Sequence, residues 1–325
     1  MQPTLVIDRL DFEAGVAAAI QAPSMHNSQP WRFRLVGDRI DIMADSSRTP
    51  PVADASGWAT RIACAAAAYN LQLAFAVRGH PLRLQWLPAI DDQQLLAALT
   101  PAPPRPPTPL QQRLFRAVPH RHSNRRPFRD VPVPTDVRRT LIEAAREEGT
   151  WLELVVGRIP VAAVAEIAHA ANRVLQRDQA YVAELANWSG RDLTSVDGIP
   201  AAAGGLAAEP QDLLPQRPFS DLVRASGNDY EQDPLVAVLG TLGDTPIDHL
   251  QAGYALQGIL LTITDAGLTS SLLSQPIEVP SAQEQLRLAF GRFGTPQMVL
   301  RIGYGEGGSS TARRPVTDVI EPPPL

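Results

Sequence analysis

Apolar positions along the chain fall into alternating helix-length and strand-length runs. A helical period over about Phe12–Ala22 predicts a first helix. The alternation Arg32-Phe33-Arg34-Leu35-Val36, followed by Arg39 to Ala44, predicts two strands. An Ala-rich stretch from Ala59 to Val77 predicts a long helix, closed by Gly79-His80-Pro81. Proline then dominates from Pro101 to Pro109, which reads as an extended linker. Beyond it a similar series resumes. A helix spans about Asp136–Glu148, capped by Thr135 after Pro134, and a strand follows at Trp151–Val156. A second long helix covers about His249–Ala266 and stops at Gly267, and Met298–Ile302 forms a last strand.

The two series resemble each other. Ala65–Leu73 matches Gly253–Leu261 in pattern. Ala18-Ala19 leads to Trp31 as Ala144-Ala145 leads to Trp151, over an interval six residues shorter. The chain therefore divides into a first half over 1–100, a proline-rich linker over 101–117 and a second half over 118–325. The second half carries an insertion at about 176–233. It opens as a helix continuing from Val161 and turns irregular through Gly190, Gly198-Ile199-Pro200 and Gly204-Gly205. An irregular segment of this length inside a domain is usually a functional lid or disordered.

Composition narrows the function classes. The 325 residues are 44% apolar, which supports a sizeable core. A net charge of −5 argues against nucleic acid or an anionic membrane as the main partner. No apolar run reaches membrane-spanning length and no secretory leader pattern is visible, so a cytoplasmic location is expected. The single Cys64 lies in the Ala-rich helix and reads as core filler. Of the six histidines only His120 and His122 are close, and flanking arginines would repel a metal cation, so no metal site is expected. Gly303-Tyr304-Gly305-Glu306-Gly307-Gly308 satisfies a dinucleotide fingerprint on paper. The following Ser309–Pro315 segment opens no βαβ helix, and that reading is set aside.

Four segments carry chemistry. Pro23-Ser24-Met25-His26-Asn27-Ser28-Gln29-Pro30-Trp31 joins a helix to a strand. Pinned by two prolines, it can present backbone N–H groups and short side chains to a flat heteroaromatic ligand. Arg121, Ser123 and Arg125 recur at every second position, on one side of an extended segment that includes His122. Two guanidinium forks and a hydroxyl suit a phosphate dianion. Arg313-Arg314 follows the last strand, and Ser274-Gln275-Pro276-Ile277-Glu278-Val279 follows the second long helix.

These motifs resemble those of the FMN-dependent nitroreductase family, and the doubled pattern resembles its Acg-like subgroup, in which two nitroreductase-like halves are fused. The resemblance implies an α+β fold, with antiparallel core sheets, surrounding helices and an intramolecular pseudo-dimer. It implies one FMN site per chain. Pro23, Ser24, Met25, Asn27 and Gln29 would come from the first half, and Arg121, His122, Ser123, Arg125, Glu278, Val279, Arg313 and Arg314 from the second. The arginines would hold the phosphate, while backbone N–H groups near Glu278 would face flavin N5. Val279 stands where the family carries glycine, which adds bulk there. No protein side chain is expected to be catalytic, since the flavin carries the chemistry. The implied activity is hydride transfer from NAD(P)H to a nitro, quinone or other small aromatic acceptor. The alternative is a flavin-sequestering or flavin-storage protein with the insertion closed over FMN. The chain would act as a monomer or homodimer.

Overall fold

Asp8 begins the first helix by accepting the Asp11 N–H at 2.7 Å, and α1 spans Arg9–Ala19. The computed structural model describes residues 6–322, except 90, 193, 208, 210, 211, 216, 218, 220–229, 232, 292, 293 and 306–309. The hairpin β1 (Trp31–Val36) and β2 (Arg39–Ala44) turns on Gly37, whose φ of 62° is one that glycine adopts without strain. Helix α2 (Trp58–Ala76) follows, then β3 (Leu82–Trp86) and β4 (Leu95–Pro101).

The proline-rich segment is a linker only in part. Thr108 and Gln111 form a capping box with Pro109 at the first helical position, so α3 (Pro109–Ala117) is a helix. Its Leu114 and Ala117 pack with Leu73 and Leu261. The linker boundaries 101–117 are corrected accordingly: Pro101 ends a strand, and 109–117 belongs to the packed structure.

The second half contains α4 (Thr135–Glu147) and β5 (Trp151–Val155). Thr135 lies inside α4, and Pro134 occupies the cap position instead. The insertion begins within α5 (Arg158–Arg177) and includes α6 (Gln179–Trp188), β6 (Ser189–Arg191) and β7 (Ile199–Pro200). Then come β8 (Leu235–Thr241), α7 (Pro246–Asp265), β9 (Thr269–Leu273), α8 (Gln275–Glu278), α9 (Pro280–Ala289) and β10 (Thr295–Gly303). The chain closes with α10 (Val316–Val319) and β11 (Ile320–Glu321).

The architecture is α+β, as the family resemblance implied. Two sheets run β11-β1-β2-β4-β3 and β5-β8-β10-β9. Setting β11 aside, every neighbouring pair is antiparallel and both sheets have the same order, with the long helix after the second strand of each. β11 pairs parallel with β1, placing Ile320 opposite Phe33, so the C-terminal tail returns to the first sheet.

Helices α2 and α7 are apolar nearly all round, the pattern of a helix enclosed on every side. They pack on each other where Gly253 meets the Ile62 backbone; an added Cβ would lie 2.3 Å from the Ile62 carbonyl oxygen. Each helix also feeds the opposite core. Trp58 and Ile62 of α2 join the cluster on the second sheet, while Leu250 of α7 joins the cluster on the first. At the centre, Gln257 donates to Asn70 at 2.7 Å and Asn70 donates to the Ala18 carbonyl, so fully buried amides cross-link the halves.

Candidate functional site

The loop between α1 and β1 is backbone-strained. His26, Asn27 and Gln29 have φ of 53°, 55° and 53°, a left-handed region that non-glycine residues occupy at an energetic cost. Tethers hold it there. The Asn27 amide donates to the carbonyls of Gly198 and Ala312, and the Gln29 amide donates to that of Val196. The Arg314 N–H donates to Gln29 Oε1. Both the insertion and the C-terminal tail thus clamp the loop.

Pro23, Ser24, Met25, His26 and Asn27 form one wall of a cleft enclosing roughly 1160 Å³, part of it open to solvent. The segment after α3 brings Arg121, His122, Ser123 and Arg125 to the same cleft, and the tail adds Thr311 and Arg313. Ser123 forms an isolated bridge to Ser270 of β9, which sets this segment beside Ser271–Gln275 on a further wall. Trp58, Ala59 and Ile62 of α2, Leu256 of α7 and Met298 of β10 complete an apolar floor. Residues of both halves therefore build one site.

Arg121, Arg125 and Arg313 make no ion pair with a carboxylate among the described residues. Arg121 donates to the Gln21 carbonyl, and its buried Nε has no partner. Arg313 donates to the carbonyls of Ile20 and Thr311. Arg125 donates to the Ala203 carbonyl and lies over the Phe219 ring. Burial, reinforced by Arg313, brings the Arg121 guanidinium down to about 9. Burial brings Arg125 down to about 10, with Arg217 and Arg121 adding to it, and brings Arg313 to about 10. A guanidinium keeps its charge in proteins, so these shifts mark cations held out of water without an anion to offset the loss. Burial and the neighbouring Arg121 and Arg313 hold His122 down at about 4. Burial, then Arg217 and Arg125, keep His26 well below its ordinary value and neutral. The donor set fits a phosphate dianion, and the flat floor under the strained loop fits an aromatic ring.

Not every candidate reaches the cleft. Pro276 starts the helical turn α8, so Ser274 and Gln275 face the cleft and Glu278 points behind it. The Glu278 N–H donates to the Ser274 carbonyl at 3.0 Å, which occupies one of the backbone donors expected to face a flavin. Its carboxylate pairs with Arg217 of the insertion and accepts from the Tyr181 hydroxyl. Val279 packs against Ala171 and Ala282. Gln29 is fully buried as a tether, and Arg314 turns to Asp45 and the Asp318 carbonyl. Gln29, Glu278, Val279 and Arg314, expected at the cofactor, do not line the cleft.

Sequence reasoning named the insertion without its contributions. Ile199, Pro215, Arg217 and Phe219 all line the cleft, and Phe219 meets the His26 ring edge-on at 5.8 Å. No local motif marks them. The stretch 220–229 and the second part of the glycine-rich string, 306–309, lie outside the described residues. Among the described residues no group of His, Cys, Asp or Glu is arranged to hold a metal ion, and no helix is long and apolar enough to cross a membrane.

Comparison with known proteins agrees with the motif resemblance. A Mycobacterium tuberculosis protein named "Putative NAD(P)H nitroreductase" is 29% identical over 315 residues, covering 94% of this chain and 89% of the relative. A second, with the same description and named acg, is 27% identical over 320 residues and 95% of both chains. Among solved structures, a nitroreductase with bound FMN from Desulfitobacterium hafniense aligns with 64% of this chain and 97% of its own, at 14% identity and a TM-score of 0.40. No protein-family model matches the chain. The full-length sequence relatives bear out the resemblance to nitroreductases of the Acg kind.

Proposed function

We propose that this chain, related along its length to nitroreductases of the Acg kind, is an FMN-dependent oxidoreductase using NAD(P)H. One observation carries the reading: three guanidinium groups without carboxylate partners among the described residues, Arg121 buried and Arg125 and Arg313 half-buried, converge on a cleft built by both halves. Arg121, Arg125 and Arg313 would hold the FMN phosphate, with Ser123 beside them. The loop Pro23–Asn27 and the apolar floor of Ile62, Leu256 and Met298 would hold the ring. When bound, FMN supplies hydride acceptance from NAD(P)H and reduction of a nitro- or quinone-type acceptor. The chain's own part is to fix the ring, neutralise the phosphate and exclude water. Asn27 and Gln29 act one step back by holding the strained loop. The matching order of the two sheets supports a pseudo-dimer within one chain.

A second reading is favoured by the insertion. Ile199, Pro215, Arg217 and Phe219 of the insertion line the cleft, which suits a protein that sequesters flavin with little turnover. One experiment separates the two. The purified protein is loaded with FMN, followed by visible absorption, then mixed with NAD(P)H and a nitroaromatic. Flavin-dependent NAD(P)H oxidation supports the oxidoreductase. Tight FMN binding with negligible oxidation supports sequestration. Absence of FMN binding overturns both.

A further inference from the structure

The matched order of the two sheets defines a second position equivalent to the cleft. There β3 stands to its sheet as β9 does to the other, and the turn from α4 to β5 replaces the loop from α1 to β1. With Ala65–Leu73 laid on Gly253–Leu261, Ala63 of the cleft falls opposite Gln251. The structure has a second, shallower cleft at that place. It is lined by Gln72, Arg83, Leu84, Trp86, Glu147, Glu148, Gly149, Gln251 and Tyr254.

Its chemistry is reversed. Where the first cleft gathers arginines, this one places Glu147 and Glu148 at the C-terminal end of α4. Carboxylates there oppose the helix dipole, a local cost. Neither makes an ion pair among the described residues, and burial together with Glu147 raises the Glu148 carboxyl above its ordinary value. Arg83, on β3, is the cleft's single cationic side chain. Opposite the carboxylates stand two aromatic rings, Trp86 and Tyr254, in edge contact at 5.8 Å; Tyr69 backs Tyr254 at 4.7 Å.

The walls are fixed in place. The Tyr254 hydroxyl donates to Gln72 Oε1, and the Gln72 amide donates to the Leu82 carbonyl at 2.6 Å. The Gln251 amide donates to the Glu148 carbonyl at 3.1 Å. That approach requires glycine at 149, where φ is 70° and a Cβ would lie 2.5 Å from Gln251 Nε2.

We propose that this second cleft binds a small organic cation, an ammonium carried on an apolar or aromatic group. Aromatic faces and unpaired carboxylates are the two elements that recognise such ions. The inference rests on the topology and the cleft itself, so it stands or falls separately from FMN binding.

Calorimetric titration of the whole protein with benzyltrimethylammonium tests it, with benzyl alcohol and benzoate as neutral and anionic controls. Saturable binding of one cation per chain is expected, with both controls about tenfold weaker or more. Trp86→Leu should weaken the cation about two- to fivefold, the range of an exposed cation–π contact, and Glu148→Gln by up to about fivefold, the range of an exposed ion pair. Arg83→Gln should strengthen it by removing a like charge. The far-UV circular dichroism spectrum should stay unchanged in all three variants, which reports that they fold. No saturable binding overturns the proposal. So does benzoate binding as well as the cation, or cation binding indifferent to both Glu148→Gln and Trp86→Leu.

Discussion

At the scale of single residues, a phosphate clamp makes a quantitative demand. Each charge-assisted hydrogen bond is worth about 1.5–3 kcal/mol, or roughly ten- to a hundredfold in affinity. Arg121→Ala and Arg313→Ala should each weaken FMN by about that factor and leave riboflavin, which lacks the phosphate, almost unaffected. Equal losses for both ligands in a titration of flavin fluorescence would place these arginines elsewhere. The neighbouring histidines add a pH signature. His26 and His122 have lowered values in the fold, His122 at about 4 against roughly 6.5 in an unfolded chain. Between those values the unfolded chain binds more protons, so stability is lost as pH falls through the window. The thermal midpoint of FMN-free protein should drop between about pH 6.5 and pH 4. The drop should be smaller with FMN present, whose phosphate favours protonated His122, and smaller in His122→Gln. The arginine segment and the Pro23–Trp31 loop were legible because their chemistry is local in sequence. The place of Glu278 was not, because a helical turn started by Pro276 decides which side of Ser274–Val279 meets the cleft.

At the scale of elements, the long helices were legible from composition, but their fit was not. Gly253 reads as one small residue among many, yet it is where the α2 backbone meets α7. Gly253→Ala should destabilise the protein by several kcal/mol, because backbone atoms rather than a flexible side chain stand in the way. A denaturation midpoint close to that of the parent chain would contradict this packing. The helix α3 hid inside a proline-rich string because Thr108-Pro109 starts a helix as readily as it continues a linker. β8, Leu235–Thr241, is buried at every position and lacks the alternation that marks a half-exposed strand. The insertion is fastened by the Arg217–Glu278 pair, by Arg48 on Asp197 and by Glu184, whose carboxylate accepts the N–H groups of Val52 and Ala53. Removing one partner of a buried pair leaves a stranded charge, at a cost of about 3–5 kcal/mol. Glu278→Gln should therefore open the insertion. Limited proteolysis near residues 190–215 should accelerate, and flavin reduction by NAD(P)H in stopped flow should become faster. Unchanged rates in both measurements would show that the insertion does not gate the cleft.

At the scale of the whole molecule, the sheets repeat one order while the two clefts between the halves differ in chemistry. The sequence carried both facts faintly. The shortened Ala144–Trp151 interval lacks a counterpart of the Pro23–Pro30 loop, and no arginine segment like Arg121–Arg125 appears in the first half. The structure adds that Glu147 and Glu148 occupy the equivalent cleft and would repel a phosphate. It also shows the tail crossing back, with Arg313 reaching the Ile20 carbonyl before β11 pairs with β1. One FMN per chain is therefore expected when flavin is extracted from saturated protein and quantified against peptide absorbance. Truncation after Thr311 should remove one phosphate ligand and the edge strand of the first sheet together, lowering both FMN affinity and thermal stability. Two flavins per chain, or one flavin shared between two chains, would mean that the site is not built within a single chain. In that case the reversed charge of the second cleft would need another explanation than the loss of one of two equivalent flavin sites.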